Sequence, residues 1–561
     1  MNDDIEIEES APWMVILITL AGGFLRALML GFKGMWLDET FSVWLASNNI
    51  ADMLQWIVKI DQHPPLYYFL LHYWIRLTSS SPYDARFLSV LFGAATIPVI
   101  YLIGKRMAGG VMGMAAAMIL AFSPFHIYYA QEARMYTLLT FNAAVAGYAL
   151  VRLLTDSRSA QPIGSQFRQY LRTWRSARPV ETDRKDDFSY RDIGRGQSGW
   201  RGWLFRHRLP PIQTIETDLA WVALIVFCAA TLFSHNTAVL FLLAINVFVL
   251  GLMLFQRMKK TGAQPTLQAP SLSNWVKAQI GILLLWSPWI FSFIKQASAV
   301  YQRFWIPQPT WDAVLQMLRS FLNASAPLPA DLFTAIWIFF GLVLCLGLVH
   351  YRKKLSQIFF LAVLFIIPLL GELIVSIWRP IFWDRTLIWT TIPLFLLLAG
   401  GIALLKNRYL IVLGLMALCT INLFSVSDYF RFYQKEDWKT AARSVAGFAE
   451  KDDLILFNSN FIEILFDYYF DPYAELYSLQ VEERGLPLDL AASGILEPEM
   501  TANDIPGLIS LLNGHPRVWL VYSHADYTDP GGLIPQTLAA RMKLTRENEF
   551  YGGVVQLYVS P

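Results

Sequence analysis

Eleven apolar segments, each about 20 residues long, recur along this chain of 561 residues and constrain its fold more than any other feature. A helix of about 20 apolar residues can cross the hydrocarbon core of a bilayer. Charged residues make up 16% of the sequence, against about 25% in soluble proteins. The sequence therefore predicts an α-helical polytopic membrane protein with about 11–13 transmembrane helices. The predicted spans are residues 13–30, 87–104, 111–130, 136–154, 219–234, 237–256, 275–294, 332–350, 357–377, 386–404 and 409–427.

Residues 64–77 decide the predicted orientation. This apolar stretch is short, opens with Pro64-Pro65 and carries His72 and Arg76, which is typical of an interfacial or re-entrant helix. If it does not span, the basic connections share one side of the membrane, as the positive-inside rule requires. We therefore expect a multi-pass protein of the bacterial plasma (inner) membrane, with a cytoplasmic N-terminus and an extracytoplasmic C-terminal domain. The basic connections are Lys105-Arg106, the insert after Arg152, 257–260, 352–354 and 406–408.

The sequence divides into two predicted domains. Residues 1–430 form a transmembrane domain, in which 31–86 is an external loop with interfacial helices. Residues 156–218, with 12 Lys and Arg against 8 Asp and Glu, are predicted to be a mostly disordered, basic cytoplasmic insert. Binding of that insert to anionic membrane lipids is the alternative. Residues 431–561 alternate a helix (436–449) with apolar strands (453–457, 517–522 and 553–559), which predicts a small α/β domain. That domain has no glycine-rich phosphate loop, and we expect no nucleic-acid partner.

Polar residues at the predicted helix ends converge on the external face. Polar groups near membrane depth are costly and tend to mark function. His126, Glu372 and Arg379 are predicted to lie near this face. A structural role for His126 or His235 is as consistent with the sequence as a functional one. The residues that we select as a candidate site are Asp38, Glu39, Asp61, His63, Glu132, Arg134, Tyr136, His235, Asp384 and Arg385.

The chemistry of these residues fits a phosphate-linked sugar at the membrane surface. Arg134 and Arg385 are candidate phosphate ligands, because a guanidinium offers a planar fork to phosphate oxygens. Asp38 is the candidate general base that activates an acceptor hydroxyl. Direct displacement at the sugar carbon would invert its configuration.

The chain resembles the C-type glycosyltransferases of family 39, which include protein O-mannosyltransferases and bacterial aminoarabinose transferases. The resemblance is densest over residues 31–150. It rests on Leu37-Asp38-Glu39, His63-Pro64-Pro65-Leu66-Tyr67-Tyr68, the run from Ser123 to Tyr136 that contains Gln131-Glu132-Ala133-Arg134, and Glu436-Asp437-Trp438-Lys439.

This resemblance implies the C-type glycosyltransferase fold, a polyprenyl-phosphate-linked sugar donor and an active site on the external face. It also implies that Asp38 is the base and that Glu132 is a second active-site carboxylate. His63 stands where aminoarabinose transferases carry a lysine, which weakens lipid A as the acceptor. The acceptor stays open between a protein, a lipid and a glycan.

Two further questions stay open in the sequence. Asp38, Glu132 and a nearby histidine could bind a divalent metal, but no compact ligand motif is present, and we favour transfer without an essential metal. A transporter or flippase of lipid-linked saccharides is the alternative function, and a structural protein with an interaction domain is the third. The polar residues cluster at one face and no internal repeat is visible, which favours the transferase.

Overall fold

The computed structural model describes residues 2–61, 63–156, 159, 161–169, 216–258, 266–299, 306–323, 330–495 and 498–561. Most of the basic insert at 156–218 lies outside the described residues, so its predicted disorder stays a prediction. The α-helices before residue 433 are α1 (Asn2–Ala27), α2 (Leu37–Ser47), α3 (Ile50–Lys59), α4 (Leu66–Leu77), α5 (Pro82–Ala108), α6 (Gly110–Ala121), α7 (Pro124–Ala130), α8 (Tyr136–Thr155), α9 (Glu216–Leu232), α10 (Val239–Met258), α11 (Leu272–Ala299), α12 (Trp311–Asn323), α13 (Ala330–Tyr351), α14 (Leu355–Ser376), α15 (Thr391–Ala403) and α16 (Arg408–Phe432).

The apolar helices confirm a multi-pass membrane protein. Within the described residues, eight helices are long and apolar enough to cross a membrane, and the bent pair α6 and α7, which meet at 55°, would make a ninth. The apolar part of α1 and the 17-residue α9 are shorter than these spans. All eleven predicted spans therefore fall on helices. Helix α4 has only 12 residues, as expected for a segment that does not span, although its position relative to the bilayer stays a prediction.

Close glycine contacts bring several of these helices together. A Cβ atom on Gly113 of α6 would lie 2.5 Å from the carbonyl oxygen of Tyr101 in α5. A Cβ on Gly401 of α15 would overlap the carbonyl oxygen of Val343 in α13. Small residues allow such backbone approach between membrane helices, where packing rather than water exclusion drives association. A larger residue at either glycine would push the two helices apart.

The first loop contains three helices, α2, α3 and α4, between α1 and α5. The side chain of Asn49 accepts a hydrogen bond from the backbone N–H of Asp52 at 3.0 Å and caps α3. Met53 and Ile57 are buried, whereas Asp52 is exposed, so α3 is amphipathic, as is typical of an interfacial helix. This arrangement places the start of α2, with Asp38 and Glu39, beside the ends of the long helices.

A five-stranded sheet follows the last long helix. Its strands are β1 (Leu454–Phe457), β2 (Glu482–Gly485), β3 (Arg517–Tyr522), β4 (Lys543–Phe550) and β5 (Gly553–Val559), in the order β2-β1-β3-β5-β4. Strands β1, β2 and β3 are parallel, and β5 is antiparallel to β3 and β4. The longer helices of this part are α17 (Trp438–Ala446), α18 (Ile462–Tyr477), α19 (Ile505–Leu512) and α20 (Leu533–Ala539). We call residues 438–559 the sheet region.

Two apolar layers hold the sheet region together. Ile455, Trp519 and Val521 pack on one face with Trp438 of α17 and Phe466 of α18. Leu454, Leu456 and Leu520 pack on the other face with α19 and α20. Burying a large apolar side chain contributes roughly 1.5–3 kcal/mol. The small α/β fold predicted for this part is confirmed, while the boundary at 430–431 falls inside α16 and stays a prediction.

The sequence did not predict β2 and β4, the two outermost strands. Strand β2 reads Glu-Glu-Arg-Gly, and β4 reads Lys-Leu-Thr-Arg-Glu-Asn-Glu-Phe with most side chains exposed or half-buried. Edge strands carry charged residues that discourage pairing with other chains. They therefore lack the apolar run that identified β1, β3 and β5.

The sheet region is seated directly on the first loop. The hydroxyl of Tyr469 in α18 accepts a hydrogen bond from the backbone N–H of Met35 at 2.6 Å, and the hydroxyl of Tyr468 donates to the carbonyl of Ser80 at 2.8 Å. These contacts place α18 over the start of α2. The position of Asp38 and Glu39 thus depends on both parts of the chain.

Three acidic side chains meet between α18 and β2, and they predict a pH-dependent stability. Burial, followed by neighbouring carboxyl groups, raises the pKa of Glu463 to about 7 and that of Asp467 to about 10, and burial raises that of Glu483. Because the folded state holds protons that the unfolded state releases, this stabilisation is complete below about pH 4 and is lost as pH rises through about 7 to 10.

We expect Asp467→Asn to stabilise the sheet region by about 1–2 kcal/mol at about pH 9 and to flatten its pH dependence. Limited proteolysis of the full-length protein between about pH 6 and pH 9 measures this through the rate of local opening. Glu475→Gln, at an exposed residue on the same helix, is the matched control. Equal pH dependence in wild type and Asp467→Asn would contradict the prediction.

Candidate active site

The predicted site residues come together at one end of the helix bundle, each beside the end of a helix. Asp38 and Glu39 lie in the first turn of α2, and Asp61 and His63 precede α4. Glu132 and Arg134 lie in the turn between α7 and α8, and Tyr136 begins α8. His235 precedes a 3-10 helix (Asn236–Ala238), and Asp384 and Arg385 begin another (Asp384–Thr390).

Asp38 is the carboxylate of the cluster that faces two guanidinium groups and remains accessible. Its Oδ2 lies 3.4 Å from Nη1 of Arg385 and 3.7 Å from Nη2 of Arg134. Its side chain is 24% exposed, whereas those of Arg134 and Arg385 are 4% and 13% exposed. An incoming molecule can therefore reach Asp38 and part of Arg385, whereas Arg134 lies behind them.

Hydrogen bonds in addition to the ion pair with the Asp38 carboxylate hold Arg134 in place. Its Nη1 donates to the carbonyl of Asp38 and to the hydroxyl of Ser42, each at 3.2 Å, and more weakly to Tyr68 at 3.4 Å. Its Nε is buried and makes no hydrogen bond with the described residues. The guanidinium thus keeps one donor without an acceptor, although burying such a group is costly.

Glu39 is fully buried and makes a dense set of internal contacts. Arg86 donates to both of its oxygens, from Nε at 2.7 Å and from Nη2 at 2.8 Å. Glu39 also accepts from the backbone N–H of Ala133 at 2.9 Å and from Lys435 at 2.7 Å. Burial alone would raise the pKa of Glu39, but Arg86 and Lys435 outweigh it and lower that pKa to about 2. These contacts favour a structural carboxylate, and the predicted substrate-binding role of Glu39 stays untested.

Glu132 is buried in a different way. Its side chain is 1% exposed, and neither oxygen accepts a hydrogen bond from the part of the chain that the structure describes. Nζ of Lys435 lies 3.6 Å from its Oε1. Burial raises the pKa of Glu132, and Lys435 opposes that shift. A buried carboxylate without a hydrogen-bond donor is unfavourable on its own, and such groups are common where a ligand completes a site.

Asp61 and His63 form a second pair beside Arg134. Nδ1 of His63 lies 2.9 Å from Oδ1 of Asp61, and its Nε2 lies 3.5 Å from Nη2 of Arg134. Burial alone would raise the pKa of Asp61, but the neighbouring His63 lowers it below its usual value. If His63 donates its Nδ1 proton to Asp61, its Nε2 presents a lone pair towards Arg134.

Histidine and aromatic rings line the other side of the cluster. The ring centroid of His235 lies 5.3 Å from that of His63 and 6.2 Å from that of Tyr136. Burial lowers the pKa of His235 well below its usual value, which favours the neutral form of this ring. The guanidinium of Arg385 lies 5.7 Å from the ring centroid of Tyr136, within the range of a cation–π contact. Tyr129 donates to Asp384 at 3.3 Å and holds it beside Arg385.

Other polar residues noted in the sequence have structural contacts instead. Nε2 of His126 lies 2.7 Å from the hydroxyl of Thr391, which ties α7 to α15. Glu372 accepts a hydrogen bond from the hydroxyl of Thr386 at 2.8 Å and so fixes the segment that carries Arg385. These two residues position neighbouring helices rather than the charges around Asp38.

Sequence reasoning missed two residues of the cluster, Arg86 and Lys435. Arg86 directly precedes a predicted span, where a single basic residue is usually an interfacial anchor. Lys435 directly precedes the run Glu436-Asp437-Trp438-Lys439 that supported the family resemblance. Its position next to that run was the sequence feature that could have singled out Lys435. The run does not indicate that the ammonium group of Lys435 reaches Glu39.

Within the residues that the structure describes, no group of metal-binding side chains is preformed around Asp38. Among the described residues, the group of acidic or histidine side chains whose donor atoms lie within 4.8 Å of one another is Glu463, Asp467 and Glu483 in the sheet region. Asp38, Glu132 and His63 do not form such a group; they pair with Arg385, Lys435 and Asp61 instead. The expectation of transfer without an essential metal stays a prediction.

Comparisons with known proteins agree with this picture. Residues 62–165 match the family model described as dolichyl-phosphate-mannose-protein mannosyltransferase. The matched stretch contains His63, Glu132, Arg134 and Tyr136. A search of curated protein sequences finds no significant match.

Several solved structures share the fold. The crystal structure of ArnT from Cupriavidus metallidurans in the apo state aligns with a TM-score of 0.57 and 10% identity, over 98% of each chain. The same protein bound to undecaprenyl phosphate aligns with a TM-score of 0.56 and 10% identity, again over 98% of each chain. The Archaeoglobus fulgidus oligosaccharyltransferase in complex with Zn and sulfate aligns with a TM-score of 0.50 and 10% identity, over 98% of this chain and 73% of that chain.

These matches concern the fold of the whole chain and the sequence of one stretch of the site. At 10% identity, the solved structures establish the fold. The family model matches the stretch of sequence that carries Glu132 and Arg134. The resemblance found in the sequence is thereby confirmed as a similarity: residues 62–165 match the mannosyltransferase family model, and the fold of the chain is shared with ArnT.

Proposed function

We propose that the protein transfers a sugar from a polyprenyl-phosphate-linked donor to an acceptor hydroxyl, with inversion at the sugar carbon and with Asp38 as the general base. The observation that carries this proposal is the placement of one accessible carboxylate, Asp38, between the guanidinium groups of Arg134 and Arg385. Such a site offers two cations to a phosphate and one base to a hydroxyl. The similarity in fold to ArnT bound to undecaprenyl phosphate supports the class of donor.

The transfer is a single displacement. The acceptor oxygen bonds to the anomeric carbon as the bond from that carbon to the phosphate oxygen breaks. The acceptor proton passes to Asp38, and the bonding electrons leave with the polyprenyl phosphate. Arg134 and Arg385 stabilise the negative charge that grows on this phosphate, because charge-assisted contacts strengthen in a partly buried site. Attack opposite the leaving group inverts the configuration.

The exposure of the three neighbouring carboxylates favours Asp38 as the base. A general base must come within hydrogen-bond reach of the proton that it abstracts. Glu39 is buried and forms ion pairs with Arg86 and Lys435, and Glu132 is buried beside the same lysine. Asp38 is the partly exposed member. We assign Glu132 to the inner wall of the site, as the second carboxylate that the family resemblance implies.

We further propose that the donor phosphate occupies the space beside His63, Tyr136 and His235. Burial disfavours a positive charge on His235, so Arg134 and Arg385 dominate the attraction for an anion. Asp61 and Asp384 orient His63 and Tyr129 around this space. The acceptor, whether protein, lipid or glycan, would approach Asp38 from its exposed side. We place this side outside the cytoplasmic membrane of a bacterium.

Asp38→Asn removes the base but keeps the size of the side chain. We expect kcat to fall by about 10²–10⁴-fold, the usual contribution of a general base. Purified protein in detergent, supplied with a polyprenyl-phosphate sugar and cell-envelope acceptors, gives the rate by mass spectrometry of the released polyprenyl phosphate. Asp52→Asn, at an exposed aspartate of α3, is the control and should keep the wild-type rate. Wild-type turnover by Asp38→Asn would remove Asp38 from the mechanism.

Arg385→Gln tests the phosphate contact. Loss of one charge-assisted hydrogen bond, worth about 1.5–3 kcal/mol, should raise the donor KM by about 10–100-fold. Arg385→Lys keeps the positive charge but loses the forked pair of donors of the guanidinium. Its donor KM should therefore lie between those of wild type and Arg385→Gln. Arg379→Gln, in the same inter-helix segment, should leave the donor KM unchanged. The idea fails if the donor KM is the same in Arg385→Gln, Arg134→Gln and wild type.

Cysteine labelling tests the proposed orientation. Single cysteines at Ser79 and at Lys406, which are both exposed, would be introduced after Cys228, Cys345 and Cys419 are replaced by alanine. In intact cells, a membrane-impermeant maleimide should label the cysteine at 79 and spare the one at 406 until the membrane is opened. Labelling of the cysteine at 406 and protection of the one at 79 would show that the orientation is the opposite of the proposed one.

A further inference from the structure

Lys435 is a buried cation in an otherwise polar and exposed connection. It lies between α16 and α17, and its side chain is 2% exposed. Lysine is rarely buried to this extent unless it is paired. Its Nζ lies 2.7 Å from Oε2 of Glu39 and 3.6 Å from Oε1 of Glu132. One ammonium group therefore bridges two buried carboxylates that come from different parts of the chain.

Glu132 depends on this lysine more than Glu39 does. Glu39 already has both Arg86 contacts and the backbone N–H of Ala133. Arg86 is further committed to the carbonyls of Leu30, Lys33 and Gly34 and is not available to Glu132. In the part of the chain that the structure describes, Lys435 is the cation at ion-pair distance from Glu132. Without it, the buried carboxylate of Glu132 would lie near that of Glu39 with no cation of the described residues at ion-pair distance.

We propose that Lys435 is a positioning residue for sugar transfer: its ammonium group holds Glu132 in place on the inner wall of the site and links that carboxylate to the seating of the sheet region. This inference rests on the proposed transferase reaction and deepens it. Lys435 acts through Glu132 and is not itself assigned a contact with the donor.

The path of the connecting segment explains the link to the sheet region. Two residues after Lys435, the backbone N–H of Asp437 donates to the carbonyl of Tyr551 at 2.8 Å. The indole of Trp438, buried in the core of the sheet region, donates to Glu436 at 2.7 Å. On the preceding side, the hydroxyl of Tyr433 lies 2.8 Å from that of Tyr128 in α7. The position of Nζ is therefore set by the sheet region and by the membrane helices together.

The other charges around Glu132 do not replace Lys435. Arg385 also favours the ionised form of Glu132, but less strongly than Lys435 does, and its ion pair at 3.4 Å is with Asp38. Asp38 and Glu39 add negative charge, which disfavours an ionised Glu132. Loss of Lys435 would therefore make Glu132 move away or take up a proton, and either change would alter the inner wall. The titratable groups that face Glu132 from the surrounding elements are Asp38, Glu39, Tyr67, Tyr128, Tyr129, Tyr136, Arg385, Tyr429, Tyr433 and Lys435.

The test separates kcat from KM in the full-length protein. In Lys435→Met we expect kcat to fall by about a hundredfold, as for a misplaced active-site group. The donor KM should change by less than about threefold, because Arg134 and Arg385 remain. Lys435→Arg keeps the charge and should recover most of kcat. Lys33→Met is the matched control, because Lys33 lies in the same neighbourhood, bound to the carbonyls of Tyr429 and Tyr433, and does not contact Glu132.

A double-mutant cycle with Glu132→Gln tests whether Lys435 acts through Glu132. If it does, Lys435→Met added to Glu132→Gln should lower kcat no further, whereas independent residues would give multiplied losses. Should Lys435→Met fail to fold, Lys435→Arg and the Lys435→Met/Glu132→Gln pair, which removes both charges, provide the same comparison.

Three results would overturn the inference. They are a wild-type kcat in Lys435→Met, multiplied losses in the double mutant, or a rise in donor KM with kcat unchanged, which would make Lys435 a phosphate ligand. The same assay separates this failure from failure of the proposed function. If wild-type protein releases no polyprenyl phosphate from any sugar donor, the function itself is wrong; if wild type is active and Lys435→Met is unaffected, only the inference is wrong.

Discussion

The ion pair between Glu39 and Arg86 is the interaction on which the rest of the site depends. Both side chains are buried, and two hydrogen bonds at 2.7 and 2.8 Å join them. Arg86 also binds carbonyls of the first loop, and Glu39 binds the backbone of the turn that carries Arg134. Removing one partner of such a pair typically costs about 3–5 kcal/mol, because the other charge stays buried. This pair therefore fixes the first loop, α5 and the turn before α8 relative to one another.

That constraint gives adjacent carboxylates different roles. Asp38 and Glu39 are neighbours in sequence, yet in the first turn of α2 they point to different surroundings. Glu39 enters the protein and is neutralised by Arg86 and Lys435, while Asp38 remains at the accessible surface between Arg134 and Arg385. The buried, ion-paired carboxylate of Glu39 thus fixes the first turn of α2 and with it the position of Asp38. Preorganised charges of this kind lower the cost of charge separation during reaction.

Much of the architecture could be predicted from the sequence because its signals are local. The membrane helices follow from runs of apolar residues, and β1, β3 and β5 follow from short apolar strands. The polar edge strands β2 and β4 could not be found this way, because their pairing depends on neighbours that are distant in sequence. Most candidate site residues were recognisable as polar groups at helix ends. The partners of Glu39 were not, since Lys435 is 396 residues away and nothing in its local sequence indicates burial.

In the proposed complex, a donor phosphate lies between Arg134 and Arg385 while Asp38 faces the acceptor. A structure of the full-length protein with a non-hydrolysable polyprenyl-phosphonate sugar tests this most directly. We expect phosphonate oxygens within hydrogen-bond distance of both guanidinium groups, about 2.7–3.2 Å. We also expect the Asp38 carboxylate on the side of the anomeric carbon opposite the phosphonate. A phosphonate bound away from both arginines, or Asp38 on the same side as the leaving group, would contradict this arrangement.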